Sequence, residues 1–268
     1  MPIEVINEFE LTYLDTIDQQ ILIEWNKYYR QMSSYLRREI IMREGFIPAT
    51  LAGLHIVRDL KYPLSFLIPY SDRRRRSCIE LTERIHEIWV AVRIIREFTL
   101  EKIELEVLQS SQKPLAIFGD YALWLEFDFT PQKMCGGVIW RSQISPSPRL
   151  LEVYKRLEKC MPGRAGIRPD IIITNAKTCE EIIENPSIKL LIECKNTSYE
   201  LWREDIAKQI LPYKQILQPE HVLVVSMKPV PDSEKKQLKL RGIDVIDNVY
   251  LGGSGELELA EYVKFSLK

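Results

Sequence analysis

A chain of 268 residues, 46% of them hydrophobic, can bury one sizeable core or a core domain with a smaller helical part. Its 37 Lys and Arg against 38 Asp and Glu give a formal net charge of -1, which excludes a uniformly basic nucleic-acid coat protein and permits local basic patches. No run is long and apolar enough to cross a bilayer, and the first residues lack the basic-then-apolar order of a leader, so a cytoplasmic protein with no membrane partner is expected. The cysteines are Cys78, Cys135, Cys160, Cys179 and Cys194. Their odd number and the lack of a C-x-x-C pair favour isolated thiols in a reducing compartment.

Residues 3–44 read as mainly helical, with Ile17, Ile21, Tyr28, Met32 and Leu36 at roughly helical spacing. Trp25, Tyr28 and Tyr29 beside Lys27 and Arg30 have two readings. They stack on bases, or, more simply, they pack a helix pair or a homodimer interface. Residues 46–76 hold Pro48, Gly53, Pro63 and Pro69 and read as a linker, so the expected organisation is a helical region over 1–76 and a core domain over 77–268. Arg73, Arg74, Arg75 and Arg76 are the one dense basic run, suited to gripping phosphates or to forming a solvated helix start. From Cys78 to Leu108 a stripe of Leu81, Ile85, Ile88, Val92 and Ile95 predicts a long helix, with Glu87 adjoining the stripe and Glu80, Glu83 and Glu97 as its rivals.

Pro114 to Phe129 alternates as one or two half-buried strands, which would put Glu126 and Asp128 on a solvated face. Pro131 and Gly136-Gly137 mark turns, Val138–Trp140 suggests another short strand, and a helix is expected over Arg149–Lys159. Residues 161–168 bring Arg164 and Arg168 up to Asp170, which opens the apolar run Ile171–Ile173. A second apolar run, Leu190–Ile192, ends in Glu193, Cys194 and Lys195; alternation puts Glu193 and Lys195 on one face and Cys194 on the other. A helix over 199–217 should kink at Pro212 and carries Lys208, Gln209, Tyr213 and Lys214. A strand from His221, a helix over 232–240 capped by Asp232 or Ser233, and a final strand in Ile243–Asp247 complete an α/β alternation.

A carboxylate at a strand end is usually a solvated terminus, and a Glu-x-Lys pair is often a surface pair worth little. Two apolar strands separated by a short excursion change that balance, because they make Asp170 and Glu193 converge. Converging carboxylates suit a hard cation, Mg²⁺ or Mn²⁺, with the Cys194 carbonyl as a further oxygen ligand. Lys195 would then steady an attacking water or the developing charge on a phosphate.

Pro169-Asp170, Glu193-Cys194-Lys195 and the spacing from Gln209 to Tyr213 together resemble the PD-(D/E)xK nuclease superfamily, in its RecB-like branch with a Gln-x-x-x-Tyr element. The resemblance spans roughly residues 77–247. It implies a restriction-endonuclease-like core, a central mixed sheet flanked by helices, in which Asp170 and Glu193 bind the metal and Lys195 is the catalytic lysine. Glu87 would be the helical glutamate that assists the metal, and Gln209 and Tyr213 would place the substrate backbone. A nucleic acid, by resemblance DNA, is the expected partner, with Arg73–Arg76, Arg164, Arg168, Lys208 and Lys214 as phosphate contacts. A catalytically inactive nucleic-acid-binding or assembly module of the same fold is the alternative.

Overall fold

The computed structural model describes residues 86–87, 89–91, 93–98, 113–139, 141–250 and 252–268, and the backbone of 102–103. The expected N-terminal helices, the aromatic group around Trp25, the Arg73–Arg76 run and Cys78 lie outside these residues. The chain divides into two compact units, Met1–Val92 and Arg93–Lys268. In the first, His86 and Trp89 are buried and stack with ring centroids 6.4 Å apart, while Glu87 is helical and half-buried.

The second unit is built on a mixed sheet with strands in chain order: β1 (Lys102–Ile103), β2 (Ala116–Phe118), β3 (Tyr121–Leu125), β4 (Ile171–Thr174), β5 (Ile188–Lys195), β6 (His221–Ser226) and β7 (Asp244–Ile246). Pairing is antiparallel from β1 to β5 and parallel from β5 to β7. The flanking helices are α1 (Pro148–Cys160), α2 (Cys179–Glu184), α3 (Tyr199–Trp202), α4 (Leu211–Leu217), α5 (Asp232–Leu240) and α6 (Gly255–Ser266). Parallel neighbours need crossovers, and α3 with α4 supplies one and α5 the other. The architecture is α/β. Among the described residues no helix is long and apolar enough to cross a membrane.

Continuous apolar runs produce the central strands because helices and loops cover both faces. On one face Ala122, Trp124, Ile172, Leu191 and Val224 pack with Leu150 and Val153 of α1 and Ile216 of α4. Leu123, Ile171, Ile173 and Ile192 are just as buried on the other face. β3 is therefore not the half-buried strand that its alternation suggests. Trp124 fills what would have been its polar side and donates its ring N–H to Thr174 Oγ1 at 3.1 Å. Burying such a side chain contributes about 2–3 kcal/mol.

Local chemistry sets the helix starts. Ser147 Oγ accepts from the Leu150 N–H at 3.1 Å and Pro148 occupies the first turn, so α1 begins one residue before Arg149. The cap expected from Asp232 or Ser233 is not formed: Pro231 takes the N-cap position, and Asp232 and Glu234 instead place negative charge in the first turn of α5. The strand expected at Val138–Trp140 is also absent from its described residues. A tight helical turn, Met134–Gly137, precedes them, and positive φ at Cys135, Gly136 and Gly137 coils the chain back before it can extend.

Cys135 and Cys179 form a disulfide. This overturns the isolated-thiol reading for both and removes the compartment argument drawn from it. The fold carries the turn after β3 to the first residue of α2, a meeting across 44 residues with no local spacing to announce it. Cys160 and Cys194 are free thiols.

The helix expected over 199–217 is broken into parts. Between α3 and α4 the chain makes a π-helical turn, Ile206–Ile210, closed by Leu211 N–H to Ile206 C=O. Pro212 then falls in the first turn of α4, where a missing N–H costs least. The wider turn is what the proline conflict becomes.

Candidate active site

Antiparallel pairing sets the start of β4 beside the end of β5. Ile171 pairs with Ile192, so one step outward Asp170 lies opposite Glu193. Parity puts both on the face of Ile172 and Leu191, and Lys195 follows on the same face, while Cys194 points the other way.

Asp170 is held from two sides. Its Oδ2 accepts the Cys194 N–H at 2.7 Å, and its carbonyl accepts the Glu126 N–H at 2.8 Å. The approach to it is equally fixed, since Ile167 C=O accepts from Phe129 N–H at 3.0 Å. A Cβ on Gly166 would lie 2.1 Å from Thr130 Oγ1, so only glycine lets these two segments pass so close.

Glu193 is fully buried, and Gln209 Nε2 donates to its Oε2 at 2.8 Å. Lys195 Nζ lies 3.0 Å from Asp205 Oδ2, with only 12% of the lysine side chain exposed. Burial alone would pull this amine down. The negative field of Glu193 and Asp170 and the Asp205 contact outweigh it, and the amine sits above its ordinary range. Tyr213 is buried, and its phenol is pushed up to about 12, first by burial and then by Glu193. The hydroxyl accepts a hydrogen bond from the Arg168 backbone N–H, which offsets part of that rise.

Asp170, Glu193, Lys195, Gln209 and Tyr213 thus meet at one sheet edge. Glu87 belongs to the other unit. Among the basic candidates, Arg164 is exposed, and Arg168 reaches Glu126 Oε1 at 3.3 Å. Lys208 is exposed and pairs with Glu204. Lys214 donates to the carbonyls of Arg241 and Gly242 at the end of α5, a contact that serves the fold.

Sequence reasoning misses two contributors. Asp205 stands four residues before Gln209, a helical repeat that would have flagged it. Glu126, read as a solvated strand residue, has φ 45° and uses its backbone on Asp170 and its carboxylate on Arg168. Asp128, its companion, accepts the Thr130 N–H at 2.9 Å.

No family model, curated protein or solved structure matches this chain. Its chemistry rests on the residues themselves. Among the described residues no three His, Cys, Asp or Glu side chains gather to hold a metal ion unaided. The donors at the β4/β5 edge are oxygens: two carboxylates and nearby main chain. That set fits a hard cation that completes its shell with water and substrate phosphate, and does not fit zinc in a closed protein cage.

Proposed function

We propose that the chain is a metal-dependent nuclease that hydrolyses phosphodiester bonds, with DNA as substrate, on a restriction-endonuclease-like core. One observation carries the reading: Asp170 stands opposite Glu193 across adjoining strands, with Lys195 on the same face. The mixed sheet, antiparallel at β4/β5 and parallel at β5/β6, supports the same fold.

Asp170 and Glu193 would hold Mg²⁺ or Mn²⁺, with the Cys194 carbonyl as a further ligand. A bound ion of this kind supplies charge neutralisation at the phosphate and makes water a better nucleophile. The protein's own part is orientation. Gln209 fixes the Glu193 carboxylate, and the Cys194 N–H fixes Asp170. Lys195 keeps its proton through the neutral range, so it donates hydrogen bonds to the attacking water or to the phosphate oxygens. Arg164 and Arg168 stand on the approach to Asp170, where a phosphate backbone would pass.

The test is cleavage of labelled single-stranded, duplex and branched DNA and of RNA, with Mg²⁺, with Mn²⁺ and with chelator. Cleavage should require the ion and fall to a small but measurable residue, about a thousandfold below wild type, in Asp170→Ala and Lys195→Ala. Undiminished cleavage in either variant rejects the mechanism. Ion-independent binding without cleavage by the wild-type chain points instead to an inactive binding module of the same fold.

A further inference from the structure

Asp205, Gln209 and Tyr213 recur every four residues, and each reaches a different part of the site. Asp205 takes Lys195 at 3.0 Å, Gln209 takes Glu193 at 2.8 Å, and Tyr213 takes the backbone of Arg168, two residues before Asp170. A regular α-helix would not keep such a row straight, because residues four apart drift by about 40° around the axis. The π turn Ile206–Ile210 is wider, so four residues there fall short of a full circle. The shortfall from Asp205 to Gln209 offsets the drift from Gln209 to Tyr213. The irregular turn thus aligns three groups that a uniform helix would splay.

An exposed Lys–Asp pair would need no functional account. This one differs, because the lysine side chain is 12% exposed and the aspartate 39%, so the amine is held inward by a group that reaches solvent. Lysine carries its charge on a flexible four-carbon stem with three donors. Asp205 occupies part of that capacity and leaves the remaining donors for a ligand at the β4/β5 edge.

We propose that Asp205 is a positioning residue for Lys195, fixing the amine beside the Asp170–Glu193 edge so that it meets the reacting phosphate in one place. The inference rests on the nuclease reading and extends the Gln209–Tyr213 pair to a three-residue rail.

The experiment uses the full chain and compares wild type, Asp205→Ala, Asp205→Glu, Lys195→Ala and the Lys195→Ala/Asp205→Ala double variant. Circular dichroism first confirms that each folds. Cleavage is followed at saturating Mg²⁺ on the substrate that the wild type cuts. In parallel, Lys195 acylation by an acetic anhydride pulse is measured by peptide mass mapping.

Asp205→Ala should lower kcat by about ten- to a hundredfold with KM changed by less than about twofold, as for a mispositioned group. Asp205→Glu should restore most of the rate. In the Lys195→Ala background the second substitution should cost nothing more, because its route is already gone. Acylation of Lys195 should rise several-fold in Asp205→Ala. Losses that multiply in the double variant, a change in KM alone, or unchanged acylation overturns the proposal. A wild-type chain that cuts no substrate overturns the nuclease reading and this role with it. A cutting wild type whose Asp205→Ala variant loses nothing overturns the role alone.

Discussion

One lysine–aspartate pair stands at the end of β5 and another at the end of β7, with β6 between them, and the two have opposite meanings. At the end of β7, Asp247 Oδ2 lies 2.8 Å from Lys235 Nζ, accepts the Val230 N–H at 2.7 Å, and has Asn248 Nδ2 on its other oxygen at 3.3 Å. One carboxylate is consumed by one amine and local donors; it ties α5 through Lys235, and the loop after β6 through Val230, to the end of β7. At the end of β5 the balance is reversed. Asp170, Glu193 and Asp205 all act on the single amine of Lys195. The same residue types at strand ends do not by themselves mark a candidate site; the number of carboxylates that share one amine separates the two ends.

The comparison breaks most visibly under substitution of the two aspartates. Asp170→Ala should reduce cleavage about a thousandfold, while thermal unfolding shifts only by the loss of the hydrogen bond from the Cys194 N–H, about 1 kcal/mol. Cleavage rates and melting curves on the same preparations check both halves.

Reducing the Cys135–Cys179 disulfide offers a control in which no charge is lost. The bridge spans 44 residues, and opening such a loop costs about 4 kcal/mol in the chain-entropy account. Thermal unfolding with and without reductant, and in Cys135→Ser/Cys179→Ser, should show that loss.

Asp247→Ala should be next, destabilising the fold by about 2 kcal/mol because it takes the nearer partner from the half-buried Lys235 amine and strands the Val230 backbone donor. Cleavage per folded molecule should stay at the wild-type level. A large loss of cleavage there would erase the contrast between the two pairs.

Alkaline pH gives a smaller, graded effect. The phenols of Tyr199 and Tyr213 rise from 10.0 to about 12, both led by burial. Below pH 10 neither folded nor unfolded chain has lost these protons. As pH rises from 10 toward 12 only the unfolded phenols ionise, so stability falls across that window. Urea midpoints at about pH 9 and about pH 11 should diverge, and Tyr213→Phe should narrow the gap.

Smallest is Lys208→Ala. It removes an exposed partner of Glu204 and should leave the melting temperature unchanged. If the Lys208 face meets nucleic acid, the salt dependence of binding should flatten by about one phosphate contact.

Much of the parallel half and the site-bearing strands was legible, because their signal is local. Ile171–Ile173, Leu190–Ile192 and Val222–Val225 are runs that only a covered strand explains, and charges at their ends mark the edge. What escaped was non-local. Cys135 and Cys179 meet through the fold, and Trp124 occupies a face that alternation assigns to solvent. Asp205 has meaning only once Lys195 lies across from it. Pro212 did announce an irregularity, but not that it would widen the helix before it.

That widened turn makes the site sensitive to chain length as well as to composition. Ala207 is exposed and fills no part of the core, yet it supplies one of the residues that open the turn. Losing a single codon there would leave every named functional side chain in the polypeptide and let the segment close as an ordinary helix. Asp205 would then stand three residues before Gln209, about 60° short of a full turn, and on the proposed reading this in-frame deletion of an inert methyl group should slow cleavage with the fold intact.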